Sequence, residues 1–190
     1  MQIIAGTARG VPLKTVPDLE TRPILDRVKK SLFSILDAAG LLHDSKVLDL
    51  YAGTGTLGLE ALSRGAASCV FVERRDEAVK LLYENLAKTR LADRGEARVA
   101  DVNRFLEGRS CTGPFDLIFF DPPFAFSAEA AARPALESEL ALAGRMLSPT
   151  GRLILRTEKK TVPPEVSGLA LLRHWTDGPH ALCFYVIPDA

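Results

Sequence analysis

A chain of 190 residues and 20.6 kDa, 47% hydrophobic and 25% charged, is long enough to bury its own core and too apolar for wholesale disorder. Its 24 basic and 24 acidic residues cancel, which weighs against a large RNA footprint and makes any nucleic-acid contact local. The three cysteines, Cys69, Cys111 and Cys183, are odd in number and form no CxxC pair. A disulfide framework and a metal site are therefore not expected, and a reducing cytoplasm is. Met1-Gln2-Ile3-Ile4 lacks a basic leader pattern, and no run approaches the ~18 apolar residues of a membrane span, so neither a signal peptide nor a membrane partner is expected.

Taken in chain order, residues 2–5 and 11–16 predict a short hairpin around the basic tip Gly6-Thr7-Ala8-Arg9-Gly10. Thr21-Arg22-Pro23 reads as a helix start, and Leu25, Val28, Leu32, Ile35 and Ala39 then recur at helical spacing until Gly40. This extension spans residues 1–40, and within it residues 1–30 hold Arg9, Lys14, Arg22, Arg27, Lys29 and Lys30 against Asp18, Glu20 and Asp26. From residue 46 the pattern becomes strand, helix, strand, helix. Strands are expected at 46–50, 69–73, 96–100, 116–120, 151–156, 169–175 and 181–187. Helices are expected at 56–64, 76–89 and 134–147, with a short one at 102–107. Runs such as Val70-Phe71-Val72 and Leu117-Ile118-Phe119-Phe120 are apolar at every position, as in parallel strands covered on both faces. The short Asp177-Gly178-Pro179 link forces the last strand antiparallel. The Ala-rich stretch 128–135 is expected to be a loop or short helix broken at Pro134. The fold class is α/β: a Rossmann-like sheet of seven strands over 41–190, the last antiparallel, behind a hairpin and helix extension.

The chemistry begins at Val47-Leu48-Asp49-Leu50-Tyr51-Ala52-Gly53-Thr54-Gly55-Thr56-Leu57-Gly58, a buried strand running into a glycine turn that opens a helix. Asp49 closes the strand where a dinucleotide would place its pyrophosphate, and two like charges in a partly dry cleft repel. A cofactor with an ammonium and a sulfonium, S-adenosylmethionine, is attracted instead. Ala52, Gly53, Thr54 and Gly55 then line it. Glu73, 18 residues beyond Gly55, is placed to accept from ribose hydroxyls, or else to pair with Arg74 or Arg75. Asp101 either receives the adenine amino group or caps the helix at 102–107.

The second signal is Asp121-Pro122-Pro123-Phe124, at the end of another apolar strand. An exocyclic amine on a base is a poor nucleophile because its lone pair is delocalised. The Asp121 carboxylate and the Pro122 carbonyl can hold its two N–H groups, the prolines stiffen the turn, and Phe124 can stack on the ring. Asp121, Pro122 and Phe124 are the catalytic candidates, with Asp121 also bordering the cofactor. Arg9, Lys14, Arg22, Arg27 and Lys30 are candidate phosphate contacts, or simply solvated cations. His43, His174 and His180 are isolated and read as surface or packing residues.

Ile3-Ile4-Ala5-Gly6, Thr21-Arg22-Pro23 with Asp26-Arg27-Val28, Asp49 to Gly58, Leu59-Glu60-Ala61-Leu62-Ser63-Arg64-Gly65-Ala66 and Asp121 to Phe124 together resemble the bacterial 16S ribosomal RNA guanine-N2 methyltransferases, which modify the guanine at position 966. The resemblance runs over nearly the whole chain. It implies a class I methyltransferase domain, with Asp49, Gly53 and Gly55 at the methionine end of S-adenosylmethionine, Glu73 at the ribose, Asp101 at the adenine and Asp121 to Phe124 around the base. S-adenosylhomocysteine is then the product, and the partner is 16S rRNA within a small ribosomal subunit or assembly intermediate, met by a monomer. Two features depart from the family pattern: Tyr51 is bulkier than expected, and Gly178-Pro179-His180 interrupts the closing hairpin. The rival readings are adenine-N6 methylation of DNA or RNA, a nicotinamide-dependent oxidoreductase, which Asp49 opposes, and a catalytically silent assembly factor.

Overall fold

Apolar strands buried on both sides need a layer of helices on each face, and that is the arrangement found. The computed structural model describes residues 1–16, 24–108 and 113–188. Strands β1 (Lys46–Leu50), β2 (Ser68–Glu73), β3 (Gly95–Val99), β4 (Phe115–Phe120), β5 (Leu147–Glu158), β6 (Ala170–Asp177) and β7 (His180–Val186) form one sheet of order β3-β2-β1-β4-β5-β7-β6. β1 to β5 run parallel, and β7 is antiparallel to both of its neighbours. Gly178, at φ +55, makes the β6–β7 turn, so the hairpin closes despite its unusual sequence.

Helices α1 (Asp26–Ala38), α2 (Thr56–Ser63) and α3 (Asp76–Thr89) cover one face, packing on Val47, Phe71, Leu117, Phe119, Ile154 and Leu182. Helices α4 (Val102–Glu107) and α6 (Arg133–Gly144) cover the other, on Leu48, Leu50, Ile118, Phe120, Leu153 and Leu155. The short α5 (Phe124–Ala128), not anticipated from the sequence, follows β4 after three intervening residues. Pro134 opens α6 rather than breaking a helix, because the first turn has no hydrogen bond for it to remove. β5 begins at Leu147, four residues before its expected start. Leu147 pairs with Phe115 ahead of a register shift, and that irregularity accommodates Pro149.

The N-terminal hairpin carries a single bridge, Gln2 with Pro12, closed by backbone bonds from Ile3 N to Val11 O, Gly10 N to Ile3 O and Leu13 N to Met1 O, and side chains anchor it to the domain. Ile3, Ala8 and Leu13 join the buried cluster of α1 and α2. Glu60 of α2 accepts from the Ile4 and Ala5 amides at 2.8 and 3.0 Å and pairs with Lys29 Nζ at 3.2 Å and Arg64 Nε at 2.8 Å. Burial draws the Lys29 pKa down, with the Glu60 charge resisting that shift. Thr21-Arg22-Pro23, the expected helix start, lies outside the described residues.

Candidate active site

Side chains alternate along a strand, so register decides which residues meet. Asp49 lies beside Phe71 and Phe119, and Phe119 beside Ile154, all on the face covered by α1 to α3. Two residues further along each strand come Glu73, Asp121 and Arg156. Three carboxylates and one guanidinium therefore gather at the carboxyl end of the sheet, where the strand order turns from β1 outward in both directions. In doubly wound sheets this is where ligands bind.

The loop between β1 and α2 is a tight turn, with Gly55 N donating to Ala52 O at 2.8 Å and Ala52 N to Val72 O at 3.0 Å. Its glycines have separate tasks. Gly53, at φ +56, faces open space, so a ligand can approach its backbone. A Cβ on Gly55 would fall 2.3 Å from Leu82, and one on Gly58 2.3 Å from Phe71, so these two are needed for packing. Asn85 of α3, fully buried, donates to Thr54 O at 3.0 Å and also brackets Lys14 through its amide nitrogen and oxygen.

Asp49 is 1% exposed and accepts from Gly58 N at 2.8 Å, capping the first turn of α2 from the neighbouring strand. Burial, with Asp121 and Glu73 nearby, raises its carboxyl from an ordinary 3.8 to about 8, against the lowering effect of the Gly58 bond. Glu73 Oε2 takes the Gly53 amide at 2.9 Å, while Oε1 takes the Arg75 amide and Nε, both at 3.0 Å. The pairing with Arg75 that the sequence allowed is present, and the same carboxylate also reaches the glycine loop. A phosphate seeking the Gly53 amide would meet that carboxylate. Asp101 caps α4, accepting from Arg104 N at 3.3 Å, and remains exposed. Among the described residues, no three of His, Cys, Asp and Glu gather in a way that would hold a metal ion.

Pro122 is buried, Asp121 and Phe124 are half-buried, and no described residue donates to the Pro122 carbonyl. Asp121 Oδ1 accepts from Arg156 Nε at 2.5 Å. The Arg156 guanidinium carbon sits 4.9 Å from the Phe124 ring centre, and His180 sits 5.7 Å from the same ring. Sequence reasoning missed Arg156 and treated His180 as packing. The available signal was a lone arginine ending the apolar run Leu153-Ile154-Leu155.

Tyr51 has a reason for its size. Its backbone is in the left-handed region, φ +60, and its hydroxyl donates to Glu139 Oε2 of α6 at 2.6 Å. Its ring meets Phe120 edge-on at 5.3 Å and Phe126 of α5 at 6.3 Å, joining the glycine loop to α5 and α6. Burial pushes the Glu139 carboxyl up, and the Tyr51 bond opposes that.

Of the basic candidates, Arg9, Lys14, Arg27 and Lys30 are all exposed. Arg27 pairs with Asp177 at 2.7 Å, Lys14 pairs with Glu84, and Arg22 lies outside the described residues. Exposed Lys159 and Lys160, just beyond β5 on the site's side of the sheet, were not anticipated.

Strand order, the single antiparallel strand and the glycine loop after β1 define a Rossmann-like class I methyltransferase fold. A model of the family described as Conserved hypothetical protein 95 matches residues 1–186. The chain is 34% identical over 181 residues to ribosomal RNA small subunit methyltransferase D of Haemophilus influenzae, covering 94% of this chain and 89% of that one. It belongs to this family. A hypothetical protein of Thermus thermophilus, TTHA0928, matches with a TM-score of 0.81 at 33% identity, over 97% of this chain and 98% of that one. An RNA methyltransferase from Salinibacter ruber, in complex with S-adenosyl-L-homocysteine, shares the fold at 18% identity and a TM-score of 0.62, over 89% and 95% of the two chains. No helix among the described residues is long and apolar enough to cross a membrane.

Proposed function

We propose that this protein transfers a methyl group from S-adenosylmethionine to the exocyclic N2 of a guanine in 16S rRNA, the guanine at position 966 by family resemblance, on a small ribosomal subunit or its assembly intermediate. The observation that carries the reading is the position of Asp121-Pro122-Pro123-Phe124: it leaves β4 beside the glycine loop, on the same sheet face as Asp49 and Glu73. The kinship with ribosomal RNA small subunit methyltransferase D supports the substrate class.

The bound cofactor supplies an electrophilic sulfonium methyl. Gly53 admits it at the loop, Asp49 offers negative charge beneath the loop, Glu73 accepts from the ribose and Asp101 from the adenine. Asp121 and the Pro122 carbonyl accept the two N–H groups of N2, which turns the lone pair toward the methyl carbon, and Phe124 stacks on the base. A bound S-adenosylmethionine would supply the methyl and leave as S-adenosylhomocysteine, the N–C bond forming as the S–C bond breaks, and Asp121 or water would take the N2 proton. Proximity and in-line orientation account for most of the acceleration. The base enters unpaired or extruded from its stack. Exposed Arg9 and Lys30, with Lys159 and Lys160 at the rim, contact phosphates, and the particle orients this net-neutral enzyme, which acts as a cytoplasmic monomer.

The test is methyl transfer from labelled S-adenosylmethionine to small subunits lacking the modification, followed by nucleoside mass spectrometry. N2-methylguanosine at one site supports the reading. N6-methyladenosine would replace guanine by adenine, and no label with the cofactor still bound would favour the silent assembly factor.

A further inference from the structure

We propose that Arg156 is a positioning residue of the base pocket, one guanidinium holding both Asp121 and Phe124 where the base is received. This rests on the methyl-transfer reading of the pocket. Arg156 is 5% exposed, directly after the buried apolar run Leu153-Ile154-Leu155, and a buried cation is retained only where its partners are well placed. Its partners among the described residues include the two side chains proposed to grip the base. The guanidinium edge donates through Nε to Asp121 Oδ1 at 2.5 Å. Its carbon lies 4.9 Å from the centre of the Phe124 ring, within cation–π range. Nη1 lies 3.3 Å from His180 Nδ1, and the His180 ring is 5.7 Å from the Phe124 ring, closing the group from the antiparallel strand.

A planar guanidinium can do both tasks because its edge and its faces are chemically different. With Oδ1 held, Asp121 cannot rotate freely, and Oδ2 is left to accept an amine N–H. The same plane limits the tilt of Phe124 at the start of α5. The charge matters as well: Asp49, Glu73 and Asp121 share one face, Glu73 pairs with Arg75, and Arg156 balances Asp121. An ammonium on a lysine stem would keep the charge and lose the fixed edge and the flat face.

The experiment compares Arg156→Met, Arg156→Lys, Asp121→Asn and the double variant Arg156→Met/Asp121→Asn as full-length proteins. Each is assayed for methyl transfer to unmodified small subunits, for S-adenosylmethionine affinity by calorimetry, and for folding by circular dichroism. Both Arg156 variants are expected to lose about 10–100-fold in kcat, the size of effect produced by a small misplacement of reacting groups, with cofactor affinity kept within about threefold. Asp121→Asn is expected to lose about 10²–10³-fold, as when one preorganised polar partner is removed. The double variant should fall far short of the product of the two losses, because Arg156 acts largely through Asp121. If Arg156→Met does not fold, Arg156→Lys carries the comparison. Full kcat in a folded Arg156 variant, or losses that multiply in the double variant, overturns the positioning role. Full activity in Asp121→Asn instead overturns the pocket reading itself, so the two failures are told apart.

Discussion

On the proposed reading of Asp49 as a cofactor contact, its raised carboxyl makes that binding depend on pH in a direction that can be worked out. Burial holds this group at about 8, so at pH 7 only about a tenth of molecules carry the charge that would attract an ammonium and a sulfonium. If the cationic cofactor binds the ionised form, the apparent dissociation constant is the intrinsic one divided by that fraction. Affinity should then improve about tenfold from pH 7 to pH 9, and about 100-fold from pH 6, levelling off above the folded pKa. The folded value lies above the unfolded one, so Asp49 contributes stability that is complete below about pH 4 and is lost as the pH rises toward 8. The stabilisation conferred by the cofactor should therefore grow over the same window. The assay is isothermal titration of S-adenosylmethionine into wild type and Asp49→Asn between pH 6 and 9; the difference between the two removes the ligand's own titration. Asp49→Asn should bind more weakly at pH 9 and lose most of the slope. A parallel pH dependence in both proteins would refute the coupling and leave Asp49 only as the cap of α2.

Gly55→Ala should cost about 2–4 kcal/mol, combining left-handed strain with a Cβ 2.3 Å from Leu82, whereas Gly53→Ala, facing open space, should cost about 1 kcal/mol and weaken the cofactor instead. Urea denaturation beside calorimetry separates the two, and equal stability losses would contradict the assigned roles. Lys29→Met removes one partner of a fully buried pair and should cost about 3 kcal/mol, the low end for such a loss because Glu60 keeps its two backbone donors and Arg64. A shift in urea midpoint equivalent to less than about 1 kcal/mol would show that Lys29 does not anchor the N-terminal segment. Tyr51→Phe leaves Glu139 without its hydroxyl donor and should cost about 1–2 kcal/mol, lowering Tm by about 3–6 °C. An unchanged Tm would mean the bond contributes nothing.

Seven strands, the parallel run, the closing hairpin and the α2, α3 and α4 helices were legible in the sequence, because each rests on a pattern confined to neighbouring residues. Continuous apolar runs mark β1 and β4, and a helical period marks α1 and α3. The glycine turn after Asp49 and the Asp-Pro-Pro-Phe turn after β4 were legible for the same reason. The boundaries that slipped, at β5 and α6, lie where Pro149 and Pro134 allow two local readings, settled by pairing with Phe115 in one case and by a helix's first turn in the other.

Contacts between distant segments were not legible. Arg156 stands 35 residues from Asp121 and 24 from His180, and only the side-by-side placement of β4, β5 and β7 brings the three together. Which acids a basic residue meets was hidden too: exposed Lys14 and Arg27 pair with acids from α3 and β6, which no local pattern announces. Sequence placed a carboxylate at Asp49, but its charge depends on how much water and how many other carboxylates surround it. Local order follows from chain periodicity and backbone sterics. Partnership, burial and protonation follow from which segments the sheet sets side by side, and only the tertiary structure decides that.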